Sequence, residues 1–448
     1  MSDSILDLDR RHVWHPFTQE QTAPPPMVAL GGKGAKIFTE DGRELIDLVS
    51  SWWVNLHGHG HPAIAKAVAE QAARLEQVIF ADFTHAPAAR LAARLAALLP
   101  GDLDRVFYSD NGSTAVEVAL KVALQYFANR GEDGRSRLLA FDGGYHGDTV
   151  GAMSVGKSSG YFRAWEGMLF PVEMVPYPAT WIGDEDVADK EAAALVALEK
   201  ALTADVAAVI IEPLIQGASG MRMCRPEFLK GLAERVHAAG ALLVFDEVMT
   251  GFGRTGTPFA CLKAGVTPDM VCLSKGLTGG FLPMGATVVR EPIHQAFLGE
   301  SLGQAFLHGH SYTANPLGCA AGLASLDLLL ETDCQARISA IEAIHGERLR
   351  DLAKRGKIRH PRLTGTIAAL DMGKGGYASA LGPRLKQYFI DRGFLLRPLG
   401  PVAYFLPPYC IAPADLHRAW DTLERALLHD IQPSLESGVE EETFTKAP

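Results

Sequence analysis

A chain of 448 residues, 48% apolar and 21% charged, is long enough for a large catalytic unit with a smaller one beside it and too balanced in composition for wholesale disorder. Its formal charge of −10 is spread along the sequence without a basic block, which argues against nucleic acid and anionic membrane surfaces as partners and favours a small-molecule substrate. The six cysteines form no CxxC pair, so neither a metal site nor a disulfide framework is expected.

The opening MSDSILDLDR is acidic where a secretory leader needs positive charge, and no apolar run reaches the roughly 20 residues of a membrane helix, so a cytoplasmic location is expected. Pro24 to Pro26 and then GAKIFTEDGRELID, two strand patterns around the turn signal Asp41-Gly42, predict an N-terminal arm with a small hairpin. From Arg105 to Leu330 short apolar runs alternate with helical patterns, which predicts an α/β domain with a mostly parallel sheet. Its strands are RVFYS (105–109), LLAF (138–141), VAAVIIEP (206–213), ALLVFDEV (241–248) and MVCLS (270–274); its helices include 113–127 and 226–240. Beyond the helical run 315–331 the pattern is mixed, with RGFLLRPLGPVAYFLPP (392–408) expected as a hairpin. The expected division is an arm and part of the small domain over 1–65, a large domain over 66–330, the rest of a small α+β domain over 331–433, and a frayed tail over 434–448.

Four elements of the large domain carry chemistry. Lys275 directly follows a buried strand and precedes GLTGGFLPMG, expected as a flexible loop; desolvation there would lower its pKa and favour attack on a carbonyl. Asp246 ends a neighbouring strand and would sit at the same carboxyl edge, where open α/β sheets bind ligands. In SDNGSTAVEVALK, Gly112 and Ser113 lie between a strand and a long helix, so free N–H groups, a hydroxyl and the helix dipole form an anion cup unlike dinucleotide or P-loop spacings. In FDGGYHGDT, Tyr145 or His146 follows a strand where a ring could stack on a flat cofactor. Taken singly, a snorkelling lysine and a capping aspartate are the commoner roles, while a plain N-cap and a loop aromatic are as common as the functional ones.

Together with FDEVMTGFGRTG (245–256), LSKGLTGG (273–280) and HGHSYTANPLGCAA (308–321), these elements resemble the class III (ω-amino) aminotransferases, fold-type I enzymes that depend on pyridoxal 5′-phosphate (PLP), over about Trp14 to Pro408. The resemblance implies that Lys275 carries PLP, Asp246 pairs with its ring nitrogen, Gly112 and Ser113 hold its phosphate and Tyr145 or its neighbour stacks on the ring. It also implies a homodimer with shared sites, the HGHSY segment of the partner bringing Gly309, His310 and Ser311 to the cofactor and substrate; Ser311 stands where the family usually has threonine. WHPFTQ (14–19), SSWWVNLHGHGHP (50–62), GYHGDTVGAMSVG (144–156) and LLRPLGPVAYFLPPY (395–409) further resemble the branch of the family that serves biotin biosynthesis. That implies 8-amino-7-oxononanoate as acceptor and S-adenosylmethionine as donor, with lysine as the alternative donor and a broad ω-amine:pyruvate transaminase as the alternative enzyme. Trp52 and Trp53 would wall the alkyl chain, Arg397 would grip the carboxylate, Asp148 would meet an amino group, and Arg254 would lie near the site. Phe17 replaces a tyrosine found in some members and lacks its hydroxyl.

Overall fold

The computed structural model describes residues 4–356 and 358–431, so the tail expected at 434–448 lies outside the described residues. A seven-stranded sheet runs in the order Arg105–Ser109, Gly285–Val289, Met270–Leu273, Leu242–Asp246, Val206–Ile211, Arg137–Phe141, Glu173–Val175. All five expected strands are present. Two more, Glu173–Val175 and Gly285–Val289, carry too little apolar pattern to stand out in the sequence; the second is antiparallel to both neighbours and makes the sheet mixed. Every residue of Val206–Ile211 is buried, as a strand covered by helices on both faces requires, and this explains its unbroken apolar run.

The helix Gly112–Asn129 begins at a capping box, in which Asn111 Oδ1 accepts from Thr114 N and Thr114 Oγ1 accepts from Asn111 N. It buries Ala115, Val118, Ala119 and Val122 on one stripe against the sheet. A 23-residue helix, Thr332–Lys354, and the helix Pro413–Arg425 cover a separate three-stranded sheet, Arg359–Thr364, Ile367–Asp371 and Val402–Phe405. Between them Trp420 is fully buried, its ring 4.9 Å from Phe405 and its Nε1 donating to His345 Nδ1 at 3.0 Å.

Residues 392–408 do not form the expected hairpin. Phe394–Leu395 pairs in parallel with Ile46–Asp47, while Val402–Phe405 pairs antiparallel with Ala368–Asp371 in the other sheet. Pro398 and Pro401 donate no N–H, and Gly400 turns at a φ of 58°, so one bridge, Leu399 to Val402, is all that links the two strands. The expected N-terminal hairpin, Lys36–Thr39 with Glu44–Asp47, is present, but it sits inside a four-stranded sheet with Ala29–Lys33 on one side and Phe394–Leu395 on the other. This sheet joins the two ends of the chain. Among the described residues no helix is long and apolar enough to cross a membrane.

Candidate active site

Four parallel strands end side by side. Met270–Leu273, Leu242–Asp246, Val206–Ile211 and Arg137–Phe141 are neighbours in that order, so their carboxyl ends deliver Lys275, Asp246, Glu212 and the 142–147 loop to one edge. Asp246 is 3% exposed; its Oδ2 lies 2.7 Å from His146 Nδ1 and its Oδ1 accepts from Val248 N at 3.0 Å. A carboxylate only accepts, so His146 Nδ1 carries the proton. Burial alone would lower the His146 pKa, but the hydrogen bond and charge of Asp246, with the charge of Glu212, outweigh it and hold the imidazole above its ordinary range. Glu212 accepts from Tyr145 N and Gly217 N, both at 3.0 Å, and burial pushes its carboxyl up to about 7.

Lys275 opens a turn of 3-10 helix that buries Gly276, Leu277 and Thr278, so the loop expected to be flexible is packed where it leaves the lysine. The lysine backbone takes a φ of 43°, and its Nζ lies 4.6 Å from the ring centroid of Trp53. Burial lowers its pKa to about 8. At pH 7 about a tenth of such amines are neutral, against well under a thousandth at the ordinary value.

At the N-terminus of the helix Gly112–Asn129, the N–H groups of Gly112 and Ser113 have no acceptor among the described residues, and Ser113 Oγ accepts from Asp148 N at 3.1 Å. A Cβ on Gly112 would fall 2.7 Å from Val248 Cγ1, and one on Gly147, whose φ is 127°, would fall 2.1 Å from Ser113 Oγ. Both positions need glycine for the loops to meet. These donors, Lys275 and Asp246 line one cavity of about 450 Å³. An amine, a buried carboxylate and an anion cup around one space fit PLP, which offers an aldehyde, a ring nitrogen and a phosphate.

A second cavity of about 420 Å³ opens from the first and shares Trp53, Tyr145 and Lys275 with it. Phe17, Trp52, Asp148 and Arg397 line it as well. The tryptophans sit on a strained turn, with φ of 52° at Ser50, 60° at Ser51 and 66° at Trp53. Asp47 holds this turn by accepting from Val49 N at 2.9 Å and Ser51 N at 2.6 Å, and Trp53 Nε1 donates to Tyr404 Oη at 2.9 Å. The Arg397 guanidinium stacks 4.0 Å from the Trp52 ring centroid. Tyr145 Oη donates to Asp148 Oδ1 at 3.0 Å, and burial raises the phenol above its ordinary range.

Gly309, His310 and Ser311 line neither cavity of their own chain; His310 Nδ1 lies 3.6 Å from Asp110 Oδ2. Arg254 touches neither cavity. It is buried, donates to Pro407 O at 2.9 Å and Asn55 O at 3.0 Å, and stacks 5.1 Å from the Tyr409 ring centroid, so it clamps the N- and C-terminal segments together. Sequence reasoning missed Glu212 as a site residue, although Glu-Pro directly after an apolar strand is the signal that Asp246 also gives. Tyr161, whose ring lies 6.2 Å from Phe17, and Tyr404 carry no comparable local signal.

The aminotransferase class-III family model matches residues 17–427. The chain is 60% identical over 408 residues to adenosylmethionine-8-amino-7-oxononanoate aminotransferase of Synechococcus elongatus, covering 90% of this chain and 96% of that protein. It is 38% identical to the protein of that name from Geobacter sulfurreducens, covering 95% and 98% of the two chains. Among solved structures, the adenosylmethionine-8-amino-7-oxononanoate aminotransferase of Methanocaldococcus jannaschii superposes with a TM-score of 0.87 at 32% identity, over 94% of this chain and 98% of the other. A PLP-bound amine transaminase from an uncultivated Pseudomonas species gives a TM-score of 0.85 at 31% identity, over 93% and 98%. With the match running over residues 17–427 and through both cavities, the chain belongs to the class III aminotransferases.

Proposed function

We propose that this protein transfers an amino group from S-adenosylmethionine to 8-amino-7-oxononanoate, forming 7,8-diaminononanoate for biotin biosynthesis, as a cytoplasmic PLP-dependent homodimer. The observation that carries this reading is the second cavity, where an aromatic wall topped by Arg397 opens directly onto Lys275. Such a shape suits a long keto acid with a carboxylate at its far end. The relatives that bear this activity in their names support the same reading.

Lys275 would attach PLP, Asp246 would pair with its ring nitrogen, Gly112 and Ser113 would hold its phosphate, and Tyr145 would stack on its ring. When bound, PLP supplies an electron sink for charge that develops at the substrate carbon. The rest is the work of the chain. Lys275 Nζ, partly neutral near pH 7 because burial holds its pKa about 8, removes and returns the proton at the reacting substrate carbon. Arg397, stiffened by stacking on Trp52, makes a two-pronged contact with the acceptor carboxylate. Trp52, Trp53 and Phe17 exclude water along the alkyl chain, and Asp148, fixed by Tyr145, meets the acceptor's amino group. The same aromatic rings receive the sulfonium and adenine of the donor. Gly309, His310 and Ser311 act across the dimer, completing the partner's site.

Borohydride treatment of the yellow holoenzyme is expected to fix the cofactor mass on the peptide holding Lys275, and Lys275→Ala to lower turnover by at least about a hundredfold. Acylation of Lys275 in cofactor-free protein should follow a midpoint near pH 8, because burial favours the neutral amine; a midpoint above pH 10 would contradict the burial argument.

Offering each donor to the holoenzyme and following 7,8-diaminononanoate by mass spectrometry tests the reaction itself. S-Adenosylmethionine should support product formation and lysine should not. Product with lysine alone would move the assignment to the other donor, whereas amination of pyruvate but not 8-amino-7-oxononanoate would overturn the acceptor.

The dimer reading predicts that Lys275→Ala and Ser311→Trp proteins, each inactive, regain partial activity when subunits exchange, because one intact site forms per mixed dimer. Exchange without recovery contradicts shared sites.

A further inference from the structure

A third cavity of about 480 Å³ lies behind the substrate wall, bounded by Arg222, by His360 and Arg362 of the strand Arg359–Thr364, and by the turn Gly373–Lys374–Gly375–Gly376. The reaction proposed above makes no use of it. Three cations border it against one carboxylate, Asp371, which is committed to Arg362 at 2.7 Å and to His360 at 2.6 Å. Among the described residues Arg222 and Lys374 form no ion pair; Arg222 is held by the carbonyl oxygens of Asp142 and Tyr177, at 3.0 and 3.4 Å, and feels the charges of Asp142 and Glu212 from further off.

Donors are also left over. Arg362 is 6% exposed and its Nε has no hydrogen-bond partner, although its other nitrogens are bonded to His360 O, Gly220 O and Asp371. An unmet buried donor on a cavity wall is uncommon and calls for an acceptor. On the exposed turn beside it, the N–H groups of Lys374, Gly375 and Gly376 have no acceptor among the described residues and face solvent, and Gly375 turns at a φ of 118°. Successive free amides in a glycine-rich turn form an anion-binding concavity. The flat rings of Tyr161, Trp181 and Tyr377 line the same space; Trp181 packs 4.0 Å from the His360 ring, and His360 is itself held at a φ of 46°.

We propose that this cavity binds a phosphate monoester, its dianionic head taken by Lys374, the 374–376 amides and the Arg362 and Arg222 guanidiniums, and its organic part by the aromatic wall. The site is separate from the anion cup at Gly112 and Ser113 and does not rest on the choice of amino donor or acceptor. Tyr377 borders both this cavity and the substrate cavity, which puts a ligand here one side chain from the substrate.

Calorimetric titration of the PLP-loaded enzyme, whose cofactor phosphate site is already filled, tests the proposal with inorganic phosphate and with adenosine 5′-phosphate as probes. One adenosine 5′-phosphate should bind per chain, more tightly than inorganic phosphate, and Lys374→Glu, an exposed position outside both other cavities, should weaken both at least tenfold while leaving turnover in phosphate-free buffer unchanged. Equal affinity for the two probes, still lost in Lys374→Glu, would support the anion cradle and remove the aromatic wall from it. Absence of binding, or binding that Lys374→Glu leaves intact, would overturn the proposal. A raised KM for the keto acid in Lys374→Glu without any phosphate binding would overturn it too, by giving the cavity to the substrate.

Discussion

The hydrogen bond from His146 to Asp246 is the contact around which the site is organised. An ionised carboxylate taken out of water alone costs several kcal/mol, so Asp246 at the end of a fully buried strand must be paired. Its partner comes from two strands away, which requires the 142–147 loop to fold back over the carboxyl edge of the sheet. The intervening strand supplies the tie, because Glu212 binds the amide of Tyr145 beside His146. Three adjacent strand ends are therefore locked together, and the fourth presents Lys275 beside them. Without parallel pairing in this order, the amine and the carboxylate would not share a cavity.

Strain gathers in the same place. Ser50, Ser51, Trp53, Phe17 and Lys275 all take positive φ without being glycine, and all but the two serines line the cavities. Such conformations cost about 1–3 kcal/mol each and persist only where surrounding bonds impose them. At the Ser50–Trp53 turn, Asp47 and Tyr404 hold them, and Arg254 ties the adjoining Asn55 O to Pro407 O. The N- and C-terminal segments that form the substrate wall are held by one sheet, so the wall and the cofactor cavity are positioned by separate parts of the fold that meet at Trp53.

What the sequence made legible follows from what is local. Strand ends, the strand-to-helix junction at Gly112 and Ser113 and the positions of Lys275 and Asp246 are written in short apolar runs and their boundaries, and the structure brings them to one edge. Trp52, Trp53, Phe17 and Arg397 are far apart in the chain, and motif resemblance rather than periodicity pointed to their meeting. Residues 392–408 misled because two apolar runs around a Pro-Gly turn look alike whether the strands pair with each other or with different sheets; only the partners at Ile46 and Ala368, hundreds or tens of residues away, decide. Glu212 escaped notice because a buried acid is read as a strand terminus unless its loop partners are known. Arg254 sits in the most recognisable motif of the chain and yet bonds only backbone carbonyls, a role that its neighbours in sequence do not reveal.

The central claim is that a buried negative charge at Asp246, sustained by His146, drives the chemistry at Lys275. Asp246→Asn keeps the shape and removes the charge, and the most direct measurement is the rate of a single half-reaction of this variant with the amino donor, followed by cofactor absorbance. The account predicts that the variant retains PLP and stays folded but reacts at least about a hundredfold more slowly, a difference of about 2.7 kcal/mol in barrier height. A variant that binds PLP and reacts at the wild-type rate would contradict it.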